Sequence, residues 1–102
     1  MEIIKQIVEK IDDELMDAES YVTLACNMKE KDKILADTYY KLSIEEMGHM
    51  NMLHDQVVRI INEFKKTNEV PEGMQVLYDY LHGRQIDWAS KIKTKQEMYK
   101  TS

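Results

Sequence analysis

With three glycines and one proline in 102 residues, this chain has very few ways to interrupt a helix. Inside a helix Gly costs about 1 kcal/mol and Pro about 3 kcal/mol relative to Ala. Their scarcity leaves long helices as the natural outcome. The apolar pattern agrees. From Ile3 to Met28 the line Ile4, Ile7, Ile11, Glu14, Ala18, Tyr21, Ala25, Met28 steps by threes and fours, which marks one face of a helix. The charged run from Lys29 to Lys33 closes that segment, and Asp32 is placed to cap the next one. A second segment, Lys33 to Phe64, carries the line Leu35, Tyr39, Leu42, Glu46, His49, Leu53, Gln56, Ile60. It ends at Lys65 to Asn68, and Pro71 follows in a loop or first-turn position. The third segment, about 72–99, holds Val76, Leu77, Tyr80, Leu81, Trp88, Ile92 and Tyr99 in a poorer pattern, with Gly83 as a point where it breaks or kinks. The expected fold is one all-α domain, an antiparallel helical hairpin plus a third helix.

Length and charge narrow the function. A four-helix bundle with helices of about 25–30 residues needs roughly 140 residues, more than are present. A net charge of −5 disfavours nucleic acid, which calls for a basic face. Cys26 is the only cysteine, so no intramolecular disulfide can form. There is no apolar run near ~18 residues and no basic-then-apolar leader. The expectation is a cytoplasmic protein with no membrane and no nucleic-acid partner. Eight methionines are read as adaptable core filling.

Three polar residues break the seams. Glu14, Glu46 and His49 occupy positions whose neighbours along the line are Ile, Leu, Ala or Tyr. An ionised carboxylate taken out of water costs several kcal/mol unless it is paired or binds a metal. A hairpin turning near residue 31 brings Glu14 level with both Glu46 and His49, because both helices rise equally per residue. Glu46 and His49 are spaced i, i+3, so both side chains can reach one ion. Tyr21 and Tyr39 fall one or two turns away at a common level. Their hydroxyls are candidates to support a ligating carboxylate, with a core tyrosine satisfied elsewhere as the equal alternative. Di-metal bundles use one Glu from each of two helices and Glu-x-x-His from each of the other two. This chain carries half that set, and a two-fold homodimer would supply the rest.

The run from Asp13 through Glu14 to Tyr21, followed by Glu45, Glu46, Met47, Gly48 and His49, resembles the ferritin-like superfamily, including the rubrerythrins. It looks closest to the half-size encapsulated-ferritin-like proteins. The likeness spans about residues 9–64. It implies a homodimer or higher homo-oligomer in a ferritin-like four-helix bundle, with a di-iron site at the interface. Glu46 would bridge two Fe ions, Glu14 and His49 would be terminal ligands, and all three would be the catalytic residues of a ferroxidase, an oxidoreductase. Hard oxygens with one imidazole per ion suit Fe or Mn, with Zn as a further option. Two features depart from that family. No targeting tail is recognisable in Met98 to Ser102, and the third segment with Trp88 is long.

The other charged residues are weaker candidates. Glu45, Asp13 and Asp17 read as solvated flanks or gatherers of cations, and His54 as rim-facing. Asp79 and His82 form an Asp-x-x-His pair that matters only if it faces inward. Asp87 falls level with His49 if the third helix folds back along the second, so a monomeric three-helix site competes with the dimer. Two other classes of function stay open. One is a non-catalytic helical assembly or adaptor protein with a buried Glu/His network. The other is a structural Zn site.

Overall fold

The computed structural model describes residues 2–101. It is all-helical, with α1 at Glu2–Met28, α2 at Lys33–Thr67 and α3 at Glu72–Thr101. The rod measures 55 × 18 × 18 Å. The α1–α2 turn is tight. The amides of Lys31 and Asp32 both donate to the Met28 carbonyl, at 3.0 and 2.8 Å. The Asp32 carboxylate then accepts from the Leu35 amide at 3.1 Å, capping α2 as the sequence suggests. α2 runs three residues past the expected end at Phe64. Lys65 and Lys66 lie in its last turn, where positive charge complements the helix dipole. Asn68 closes it by donating to the Phe64 carbonyl. The Pro71 carbonyl accepts from Met74 and Gln75 and opens α3. α3 passes through Gly83 without a break.

α1 is the central helix. Its buried line is Val8, Ile11, Leu15, Ala18, Val22 and Ala25. α3 lies parallel to α1 and antiparallel to α2. Along α1, Gln85 donates to the Val8 carbonyl at 3.1 Å and Arg84 holds both Asp12 oxygens at 2.7 Å. Farther along, Trp88 donates to Glu19 at 3.3 Å. Against α2, Gln96 meets Ser43 and Tyr99 donates to Asp37.

α2 shows a shift from the sequence reading. Its buried positions are Ala36, Ser43, Met47, Met50 and Val57. Each lies one residue beyond a position of the expected line or on the same face as one that does, a rotation of about 100°. The cause is α3, which covers that side of the hairpin. The line through Leu42, Glu46, His49 and Leu53 is left at the hairpin's other edge, half-buried or exposed.

One polar contact ties all three helices. Ser43 Oγ donates to the Ala18 carbonyl at 2.7 Å and accepts from Gln96 Nε2 at 2.8 Å, and both side chains are buried. Ser43→Ala would leave the Gln96 amide without its acceptor. An unsatisfied buried donor costs about 1–3 kcal/mol. An unfolding free energy from urea titration lowered by that amount, and restored in part by adding Gln96→Leu, is the expected result. No change on Ser43→Ala would mean that the contact contributes nothing to stability.

Candidate metal centre

The hairpin register brings Glu14 of α1 against Glu46 and His49 of α2. One ligand atom from each of the three lies within 4.8 Å of the others. His49 Nδ1 stands 3.4 Å from Glu14 Oε2 and 3.6 Å from Glu46 Oε2. The carboxylates are largely shielded, with side-chain exposures of 26% for Glu14 and 18% for Glu46, whereas His49 is 55% exposed. The group is therefore walled on the hairpin side and open on the other. On α1, Asp12, which α3 grips through Arg84, is two residues from Glu14 and so about 200° away around the helix. Half-buried Ile7, Tyr21, Leu42, Leu53 and Ile60 continue the same open face.

The two carboxylates crowd one another. Glu14 Oε2 is buried and has no hydrogen-bond partner among the described residues. The His49 nitrogen is within ion-pair reach of it but beyond a good hydrogen bond. Glu46 is raised from 4.5 to about 7. The main cause is its carboxyl contact with Glu14, followed by burial and by the Glu14 charge, while His49 opposes the shift. Two carboxylates this close ionise together only with difficulty. A divalent cation would satisfy that oxygen and take the place of a proton on Glu46. The donor set, two carboxylates and one imidazole, is suited to such an ion.

Tyr21 and Tyr39 come together as their common level requires, but with each other. Their rings stack at 6.2 Å and 26°. Among the described residues neither hydroxyl donates to Glu14 or Glu46. Glu45, Asp13 and Asp17 are exposed. Asp87 is exposed and pairs with Lys91 at 3.3 Å. It has the expected level along α3 but points away from His49, because α3 lies on the far side of the hairpin. Asp79 accepts from Gln75 at 2.9 Å and is exposed. His82 instead stacks on His54, ring centroids 4.9 Å apart, a cross-helix pair absent from the sequence reading. The antiparallel register of α2 and α3 is the signal that could have found it.

Among the described residues no helix is long and apolar enough to cross a membrane. No family model, curated protein or solved structure matches the chain.

Proposed function

We propose that this chain is a di-metal carboxylate protein whose site is completed by a second copy of itself, and that it oxidises or sequesters iron. The observation that carries this reading is the buried, unpartnered Glu14 Oε2 beside Glu46 and His49. A native structure rarely leaves such an atom without a partner. A cation is the simplest one that also answers the raised Glu46. The open face argues for the second copy. Docking two hairpins through it would join two Glu14, two Glu46 and two His49 in one four-helix core. Four carboxylates then balance two divalent ions.

In this reading Glu46 would be the bridging ligand, with Glu14 and His49 as terminal ligands. With Fe(II) as substrate, the two ions would together give up two electrons, which with two protons from solvent would reduce O2 to hydrogen peroxide or hydrogen peroxide to water. The chain supplies hard oxygen donors that tolerate the added charge of Fe(III), and Glu46 releases its proton when an ion takes its place. A second reading draws on His49, which lies near both carboxylates. There the three side chains would form a metal-free polar network that fixes helix register in a scaffold or adaptor.

One experiment separates the two. Wild type and Glu46→Ala are reconstituted anaerobically with Fe(II), Mn(II) or Zn(II) in separate samples, then examined by elemental analysis and by mass in solution. About one Fe per chain on a dimer, lost in the variant, supports the di-metal reading, with oxygen uptake on aeration as its redox test. Failure to retain Fe, Mn or Zn, with an unchanged oligomer, ends it in favour of the network. Strict retention of Zn without oxygen uptake would leave a structural site.

A further inference from the structure

On the reading that a second copy completes the carboxylate centre, we propose that this copy docks antiparallel, about a two-fold axis that crosses the rod at Glu14, and that Lys10–Asp17 pairs between subunits set this orientation. A two-fold axis lying in the open face can run along the rod or across it. Along the rod, it lays α1 on the partner's α2. Across the rod, it lays α1 on the partner's α1, running the other way.

On α1 the open face steps by fours and threes through Ile3, Ile7, Lys10, Glu14, Asp17, Tyr21 and Leu24, the spacing of a helix–helix seam. None of these is fully buried within its own chain. Reversed about Glu14, the line matches itself, apolar to apolar and cation to anion. Ile3 meets the partner's Leu24, Ile7 meets the partner's Tyr21, and Lys10 meets the partner's Asp17. α2 behaves alike about a point midway between Met47 and Gly48. There Leu42 meets the partner's Leu53, Leu35 meets the partner's Ile60, and Glu46 meets the partner's His49. These four apolar side chains are also half-buried or exposed. The two centres belong to different helices, yet the hairpin sets them level. Ser43 bonds to the Ala18 carbonyl and Tyr21 stacks on Tyr39, and the same register carries Glu14 to the α2 centre. One axis therefore serves both helices. The one unfavourable meeting, Glu14 with the partner's Glu14, falls on that axis, where the proposed ions lie.

Charge decides between the two axes. Lys10 and Asp17 are both exposed. Within the chain, Lys10 reaches Asp13 at a long 3.9 Å, with both side chains largely in solvent. The axis across the rod gives it the partner's Asp17, once on each side of the centre. The axis along the rod sets Asp17 level with the partner's Glu45 instead, again twice, and like charges at close range repel. That repulsion would adjoin carboxylates that already crowd one another. Lys10 would then face the partner's Asn51 and the partner's Met52, which carry no charge.

Distances between nitroxide labels, measured by double electron–electron resonance, test the orientation. Cys26→Ser removes the one native thiol, and Ser20→Cys or Asn27→Cys then carries a single label per chain. Both positions are exposed and lie one heptad apart on one line of α1. The protein is loaded with Zn2+, which is diamagnetic, and its mass in solution is measured first. In the antiparallel dimer the paired labels are offset along the rod by ~18 Å at position 20 and ~39 Å at position 27. The label distance should therefore lengthen by ~15 Å from the first to the second. Equal distances at the two positions mean an axis along the rod, which overturns the proposal and leaves the dimer standing. A monomeric mass with no coupling between labels overturns the dimer itself and this orientation with it. Charge reversal gives a second readout, with circular dichroism to check folding. Lys10→Glu or Asp17→Lys alone turns two attractive contacts into repulsive ones and should weaken dimerisation about tenfold, and both together in one chain should restore it. Tighter dimerisation of Asp17→Lys is the mark of the other axis and also overturns the proposal.

Discussion

Replacing Glu46 by Gln is expected to move metal affinity and metal-free stability in opposite directions. Glu46 is raised from 4.5 to about 7, first by its contact with Glu14 and then by burial. An acid whose native pKa lies above its unfolded value binds more protons in the native state. The contribution of Glu46 to metal-free stability is then most favourable below about pH 4.5, falls as pH rises toward 7, and carries the full penalty above that. Gln cannot ionise, and its amide can donate to the orphaned Glu14 oxygen. At pH 8 the EDTA-treated variant should therefore have a higher urea midpoint than wild type, with the two converging near pH 4.5. Metal reverses the order. Loss of a carboxylate that bridges two ions in the proposed site should weaken divalent-ion binding by at least about 100-fold, above the range for residues that merely support ligands. Wild type should also release about one proton per chain on binding near pH 6, since the ion replaces the proton on Glu46. Wild-type stability that is flat between pH 5 and 8 would mean that Glu46 does not take up a proton on folding.

The helices were legible because breakers are so few, and the hairpin was legible because a short charged run separates two long periodic segments. The face of α2 was not. Two neighbouring lines on that helix are both partly apolar. One holds Ala36, Tyr40, Met47, Met50 and Val57, the other Leu35, Tyr39, Leu42, Leu53 and Ile60. Periodicity reports that a face is apolar but not which neighbour covers it. Only the placement of α3 decides that the first is core. The grouping of Glu14, Glu46 and His49 survives this rotation because it depends on level along the hairpin, which helix rise fixes. Its burial does not survive unchanged. The three sit at an open edge instead of a sealed centre, where a second copy could reach them. Asp87 teaches the same distinction. Its level was right, yet direction around α3 depends on which residues that helix buries, namely Gln85, Ala89, Ile92 and Gln96. His54 and His82 were readable in principle from the level that placed Asp87, but neither interrupts an apolar line strongly enough to draw notice.

Leu15→Ala tests whether scaffold and site can be separated. Leu15 is fully buried in the cluster with Ile11, Ala18, Met47 and Ile92, at 0% exposure. Truncating a buried Leu costs about 2–5 kcal/mol through lost transfer energy and the cavity left behind. That is a large share of the roughly 5–15 kcal/mol that holds a domain together. At about 4–8 °C per kcal/mol for a domain of up to about 100 residues, the melting temperature should fall by roughly 10 °C or more. Met16→Ala, at a position 58% exposed on the same turn, should stay within about ±0.5 kcal/mol. Leu15 adjoins Glu14 and helps set the rotation of α1 that presents it, yet it donates nothing to an ion. Leu15→Ala below its melting point should therefore keep the metal stoichiometry of wild type. Added metal should raise its melting temperature by the ordinary linkage between binding and folding. Glu46→Gln should show the reverse, a robust fold that gains little from metal. If Leu15→Ala, shown to be folded, lost metal as completely as Glu46→Gln, the three side chains would not be a ligand set in their own right but a by-product of how α1 is seated.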